Sequence, residues 1–283
     1  MSEQELITVT AELLKTADAI IVGGGSGLSS AAGYNHYHYN NMYRNHFQEF
    51  DDAYGIKNLM KGFYYVYSKP EQRYGFYTKY LHFMHTAPVG QPYRDLAEIL
   101  KNRNYHILTT NVDGQFSYVF PEEKICCYQG DFRYFQCEQP CHDKIYRNEE
   151  LVKQMLSEME GLELPYHRIP RCPECGWKMI PWVRDDTFLQ GKQWKDSFDR
   201  YEAFVKENYQ KRIVLLELGV GDMTPSIIKL PFWEMTASFP NVHLINVNLE
   251  KTTPPEHLKG RITTIPMEIG IFLQKLRNEM DRK

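Results

Sequence analysis

Four cysteines stand in two close pairs, Cys137 with Cys141 and Cys172 with Cys175, with thirty residues between the pairs. C-x3-C and C-x2-C are knuckle spacings, each able to hold two thiolates about 2.3 Å from one tetrahedral zinc ion. Pro173-Glu174-Cys175-Gly176 supplies the turn formers for one knuckle. All four positions are thiols, so no coordination site is left open for water and the expected zinc is structural. Four unrelated buried thiols are the plainer alternative.

Two further segments carry groups that could do chemistry. Gly23-Gly24-Gly25-Ser26-Gly27-Leu28-Ser29-Ser30-Ala31-Ala32-Gly33 is a run of small residues in which backbone amides can close on a phosphate at a helix start. The G-x-G-x-x-G fingerprint fails, because Leu28 and Ser30 occupy its closing positions, and no second strand nearby carries a ribose-binding acid. Alone, the loop is either a phosphate cradle or a tight strand-to-helix turn. Thr109-Thr110-Asn111-Val112-Asp113-Gly114-Gln115 places Asn111 and Asp113 just past a strand end, as ligand contacts or as turn formers. Gln129 lies in Tyr128-Gln129-Gly130-Asp131, ahead of the first knuckle.

The elements that must position these groups can be read from the apolar pattern. Ala19 to Val22, His106 to Thr110, Ile213 to Leu218 and Val242 to Val247 are strand-like runs that end in loop formers. Helical spacing appears in Leu6, Val9, Leu13 and Ala17, in Tyr93, Leu96, Ala97 and Leu100, and in Ile269, Leu273, Leu276 and Met280. Short strands alternating with amphipathic helices predict an α/β fold, a Rossmann-like doubly wound parallel sheet. Its ligand belongs beyond the carboxyl ends of the strands, where strand order reverses. Residues 34–88 form a Tyr/Phe/His-rich insertion, and Glu149 to Glu163, with Val152, Met155, Leu156 and Met159 in register, predicts a helix across the cysteine module.

With 283 residues and 42% hydrophobic content the chain suits one or two domains. A net charge of −3 with dispersed Lys and Arg does not favour nucleic acid, although Lys144, Arg147, Arg168 and Arg171 flank the cysteines. The acidic start Ser2-Glu3-Gln4-Glu5 and the lack of any apolar run near the roughly 20 residues of a membrane helix predict a cytoplasmic protein. Cys126 and Cys127 are then expected to be reduced and buried as small apolar groups.

In this order the segments resemble the sirtuins. Gly25-Ser26-Gly27-Leu28-Ser29-Ser30-Ala31-Ala32-Gly33 is similar to their GAGIS-x-x-SG loop, Thr110-Asn111-Val112-Asp113 to their QNID, and Gln129-Gly130 falls where they carry HG. Gly219-Val220-Gly221 and Asn248 resemble their later cofactor segments. Phe135-Gln136-Cys137-Glu138-Gln139-Pro140-Cys141-His142, Asp185-Asp186-Thr187-Phe188, Leu216-Glu217-Leu218-Gly219-Val220-Gly221 and Pro231-Phe232-Trp233 resemble the bacterial class M sirtuins, found beside macrodomain genes.

The resemblance implies NAD-dependent protein ADP-ribosylation rather than deacylation. The implied acceptor is a lipoylated carrier related to the glycine-cleavage H protein, and a macrodomain hydrolase is the implied partner that reverses the modification. It assigns catalysis to Asn111, Gln129 and Asp113, and NAD contact to Gly25, Ser26, Gly27, Ser29, Gly33, Asn111, Asp113, Gly219, Val220, Gly221 and Asn248. Gln129 fits transfer, because a glutamine amide orients groups but cannot act as the histidine base that deacylation uses. The implied division is a Rossmann-like NAD domain over 1–33, 89–130 and 205–283, a helical insertion over 34–88 and a zinc module over 131–204.

Departures accompany the matches. Asn35-His36-Tyr37-His38 stands where deacylases carry PDFR, so no arginine transfers there, and Thr110 replaces their glutamine. His36, His38 and His46 are expected to be packing or surface groups rather than a second metal site. Phe63, Tyr64, Tyr65 and Tyr67 either line a groove for a lipoyl arm or, as expected, pack between helices. A deacylase or NAD hydrolase using the same pocket is the first alternative function; a non-enzymatic NAD sensor or zinc-ribbon module is the second.

Overall fold

The computed structural model describes residues 1–250 and 252–282. From the N-terminus the chain forms α1 (Glu3–Thr16), β1 (Ala19–Gly24), α2 (Ser26–Ala31), α3 (Asn41–Tyr54), α4 (Leu59–Phe63), α5 (Pro70–Thr86) and α6 (Gln91–Leu100). There follow β2 (Tyr105–Thr109), β3 (Ile125–Cys127), β4 (Gly130–Cys137), β5 (Tyr146–Arg147), α7 (Glu149–Ser157) and β6 (Met179–Val183). The last third holds α8 (Lys192–Asn208), β7 (Ile213–Leu218), α9 (Lys229–Ser238), β8 (Val242–Asn248), β9 (Ile262–Pro266) and α10 (Ile269–Met280). No helix among the described residues is long and apolar enough to cross a membrane.

Six strands make one parallel sheet in the order β3-β2-β1-β7-β8-β9. Its central strands are buried along their whole length because both faces are covered, which is why β1 and β7 read as continuous apolar runs. Alternate side chains serve opposite layers. Ile20, Val22, Val214, Leu216 and Ile245 pack with Ile7, Leu14, Leu96, Leu100, Phe272 and Leu276 from α1, α6 and α10. Ile21, Leu215 and Leu244 pack on the other face with Tyr201, Phe204 and Phe232 from α8 and α9. Ser2 caps α1 in a reciprocal box with Glu5, and Glu268 accepts the free amides of Gly270 and Ile271 at the start of α10.

The doubly wound parallel sheet is as expected from the sequence. The chain runs outward from β1 to β2 and β3, then crosses to β7, so strand order reverses between β1 and β7. β3 and β9 are two strands beyond the four read from the pattern.

The insertion over 34–88 and the cysteine segment share a second apolar core. Phe47, Tyr74, Phe76 and Tyr80 meet Phe132, Phe135, Val152, Met155, Cys137 and Cys172 in it. A small antiparallel sheet, β5-β4-β6, crosses this lobe, with a register shift between Asp131 and Phe135. The helix expected over Glu149–Glu163 stops at Ser157; Glu160 and Glu163 pair in a short bridge, turned by Gly161 at φ +62°. Val152 and Met155 are buried in the core, as read.

Candidate active site

β1 ends in Gly24, and the chain turns at once into α2, under the loop that leaves β7. The two backbones touch: Gly25 N–H donates to Leu218 O at 3.0 Å and Gly27 N–H to Gly219 O at 2.9 Å. A Cβ on Gly25 would lie 2.5 Å from Gly219 O, and one on Gly27 would lie 2.7 Å from Gly219 Cα. Any side chain at either position would separate the loops. Gly33 closes the short helix at φ +92°, where a Cβ would meet nothing within 4 Å, and Asn248 Nδ2 donates to Val220 O at 3.3 Å. These two shape their loops and are not among the residues that line the cleft.

The loop after β2 crosses to the same place. Asn111 is buried, and its Nδ2 donates to Gly25 O at 2.9 Å and more weakly to Tyr93 Oη at 3.4 Å. Its Oδ1 accepts no hydrogen bond from the described residues. Asp113 is 3% exposed; its Oδ2 accepts the Ser29 hydroxyl at 2.5 Å and its Oδ1 the Gln115 amide at 3.1 Å. Asp113 is therefore a turn former and a clasp between loops at once. Tyr93, whose hydroxyl lies 3.3 Å from Ser29 Oγ, extends the polar chain beneath both loops.

These groups line a cleft that leads into a smaller inner cavity. Ser26, Asn111 and Gln129 line both parts, Ser29 and Asp113 the inner cavity, and Val220 and Gly221 the outer cleft. The structure thus brings together Ser26, Ser29, Asn111, Asp113, Gln129, Val220 and Gly221, with Gly25 and Gly27 forming the floor between them. Gln129 stands immediately before β4, where its carbonyl accepts the Arg184 amide at 3.0 Å.

Several wall residues were not among the expected site residues. Arg184 lines both parts of the cleft; its guanidinium lies 4.5 Å from the Phe188 ring centroid and 5.3 Å from that of Tyr128. It is the only arginine lining the cleft among the described residues. The adjoining Asp185-Asp186-Thr187-Phe188 segment was the available signal. Tyr37, Met60 and Tyr64 line both parts, Met223 the outer cleft and His36 the inner cavity. Burial and the Asp113 carboxylate push the Tyr37 phenol above its ordinary range.

Helix packing does not account for all four aromatics near Tyr64. Phe63 is buried, but Tyr64 is 52% exposed at the cleft and donates to Arg184 O at 3.1 Å. The reason is local: α4 ends at Phe63, and the next residue leaves the helix face that meets the core. His36 is buried and binds Tyr80, as a packing group would, yet it also reaches the cavity.

The four cysteine sulfurs lie within 4.8 Å of one another. The separations are 3.6 Å for Cys137 to Cys175, 3.8 Å for Cys137 to Cys141 and 3.7 Å for Cys141 to Cys172. A regular tetrahedron with bonds of about 2.3 Å has edges of roughly 3.8 Å, so the set fits zinc. His142 lies alongside: its Nδ1 accepts the Lys144 amide at 3.1 Å, which leaves Nε2 protonated 3.3 Å from Cys172 Sγ. Cys126 is wholly buried, and burial pushes its thiol up to about 12, so it is not a nucleophile.

Comparison with known proteins agrees with this geometry. A protein ADP-ribosyltransferase of Staphylococcus aureus (strain Mu50 / ATCC 700699) is 27% identical over 281 residues, covering 96% of this chain and 89% of that protein. A probable bifunctional ADP-ribose hydrolase/ADP-ribosyltransferase of Fusarium oxysporum f. sp. cubense is 27% identical over 94% of this chain and 47% of its own length. The chain therefore spans about half of that second relative. Among solved structures, a sirtuin studied for its substrate affinity superposes with a TM-score of 0.65 at 18% identity, covering 99% of both chains. A Sir2 homolog in complex with NAD gives 0.60 at 16% identity over 99% of this chain and 94% of that one. No family model matches the chain.

The chain has the sirtuin fold. Within that class its sequence kinship is with proteins named as ADP-ribosyltransferases.

Proposed function

We propose that the cleft binds NAD and transfers its ADP-ribose to a protein side chain, with release of nicotinamide. The observation that carries this is Gln129, lining the same cleft as Asn111 in a chain whose full-length kinship is with an ADP-ribosyltransferase. Bound NAD supplies a glycosidic bond that is cleaved as the acceptor nucleophile takes its place.

In this proposal Asn111, Gln129 and Asp113 are the catalytic set. Asn111 is held by Gly25 O and Tyr93, which leaves its amide oxygen to orient a ribose hydroxyl. Gln129 can donate and accept hydrogen bonds without changing charge, so it positions but does not abstract a proton. Asp113 holds the two loops and offers a carboxylate to the inner cavity. Gly25, Ser26, Gly27, Ser29, Gly33, Gly219, Val220, Gly221 and Asn248 form the NAD loops, and Arg184 places positive charge against an anionic ligand.

The class M assignment and its acceptor belong to the same proposal. Met60, Tyr64, Tyr37 and Met223 give the cleft an apolar wall beside Gln129, suited to a long apolar arm such as lipoyl-lysine on a carrier protein. The Fusarium relative joins a hydrolase and a transferase in one name, which supports a macrodomain-type hydrolase as the reversing partner. The division into 1–33 with 89–130 and 205–283, 34–88, and 131–204, and residence in the cytoplasm, complete the proposal.

A deacylase using the same cleft is the competing account, favoured by a Sir2 bound to an acetylated peptide at TM-score 0.61 and 17% identity. The test is incubation with adenylate-labelled NAD and a carrier protein, lipoylated or bare. Label on the lipoylated carrier, lost in Asn111→Ala, is the expected result; turnover of acyl-lysine peptides without label transfer would overturn it.

A further inference from the structure

We propose that His36 is a specificity-determining contact for the nicotinamide carboxamide, which it grips together with Asp113. This rests on the NAD proposal above. His36 is 7% exposed, and its Nε2 is buried without a hydrogen-bond partner among the described residues. A buried polar atom left unpaired costs free energy unless a ligand or water completes it. The residue lines the inner cavity, so a ligand there can reach it.

The ring's tautomer follows from its neighbours. Nδ1 lies 2.9 Å from the hydroxyl of Tyr80, a phenol that burial keeps protonated and whose one hydrogen bond is to this ring. Nε2 faces Asp113 Oδ2 at 3.9 Å. A bare nitrogen there would set its lone pair against a carboxylate, so Tyr80 donates to Nδ1 and Nε2 carries the proton.

A separation of 3.9 Å is too long for a direct hydrogen bond, but it suits an inserted primary carboxamide. Bond lengths of about 1.23 and 1.33 Å place the oxygen and nitrogen of that group roughly 2.3 Å apart. Two slightly splayed hydrogen bonds of about 2.9 Å then reach both walls. Nε2–H donates to the carboxamide oxygen, and the carboxamide NH2 donates to Asp113 Oδ2, which has a lone pair left beside the Ser29 hydroxyl. A carboxylate in the same place would face Asp113 and be rejected.

The test titrates the full chain, saturated with ADP-ribose, with free nicotinamide, thionicotinamide, 3-acetylpyridine or nicotinic acid, following ligand signals by NMR. The wild type should bind thionicotinamide, whose sulfur is a weak acceptor, and 3-acetylpyridine, which lacks the NH2, each about tenfold more weakly than nicotinamide. Nicotinic acid should bind least. His36→Phe should bind nicotinamide and thionicotinamide alike while keeping the 3-acetylpyridine penalty, which runs through Asp113. His36→Gln, which restores a donor, should recover part of the lost preference. A wild type that does not distinguish nicotinamide from thionicotinamide overturns the His36 contact whether or not the variants fold. Wild-type preference retained in a folded His36→Phe overturns it as well. If the wild type binds neither nicotinamide nor ADP-ribose, the NAD proposal itself fails and this contact with it.

Discussion

Gly27 and Gly219 meet backbone to backbone: a Cβ on Gly219 would lie 2.5 Å from Gly27 Cα. The loop after β1 and the loop after β7 are thereby locked at the point where strand order reverses, which is where a doubly wound sheet binds its ligand. Where Gly27 and Gly219 meet, both partners are backbone and cannot yield as a side chain would, and Gly219 also sits at φ +62°.

Gly27→Ala should force the loops apart. We expect a loss of about 1–3 kcal/mol in stability, as for an overpacked site, and at least tenfold weaker NAD binding. Calorimetric titration with NAD beside a thermal melt checks both.

Asn111 and Gln129 should respond differently to substitution. Asn111→Ala removes the positioned amide and should lower nicotinamide release by roughly 100-fold, the scale of a lost preorganised hydrogen-bonding group. Gln129→Ala should stay within about tenfold of the wild type, because no proton transfer depends on it. Gln129→His should add an ionisation near pH 6.5 to the rate profile. Initial rates of nicotinamide release from pH 5 to 9 decide this.

Zinc is predicted to hold more than its own module. Cys137 and Cys172 are members of the core that also contains Tyr74, Phe76 and Phe135, and the Tyr74 hydroxyl donates to Met179 O at 2.8 Å. Chelation, or Cys172→Ser, should therefore abolish the near-ultraviolet dichroism of the aromatic lobe and NAD cleavage with it. A soluble, fully active metal-free protein would contradict this.

Glu217 predicts a pH dependence of stability. It is wholly buried on β7, and burial raises its carboxyl to about 7 although the Asn246 amide donates to it at 2.6 Å. With the folded value above the unfolded one, its contribution is fully present below about pH 4.5 and is lost as pH rises to about 7. His106, pushed down to about 4 by burial, acts in reverse and loses its contribution as pH falls below 6.5. Glu217→Gln should gain about 2 kcal/mol relative to wild type between pH 5 and 8. Melting temperatures of both proteins across that range test it.

Much of this arrangement was legible in the sequence. Ile213–Leu218 is the strand that the apolar run predicts, because a strand covered on both faces must be apolar throughout. The two cysteine pairs converge because knuckle spacing is a local property. β3 was not legible, since three residues carry no period, and the small sheet has a break in register that disguises its alternation. Arg184 draws no notice in the sequence, and Tyr64 and His36 read there as packing groups, for a common reason. Each stands at the end of an element or in a loop, and only the packing of two lobes turns it toward the cleft.

The central claim is transfer of ADP-ribose to a protein rather than removal of an acyl group. It is tested most directly by the intact mass of a lipoylated carrier after incubation with the enzyme and NAD, with nicotinamide measured in the same sample. The carrier should gain one ADP-ribose for each nicotinamide released, and Asn111→Ala should slow both roughly 100-fold. Nicotinamide release with the carrier unmodified, accompanied by deacylation of an acyl-lysine peptide, would contradict the account.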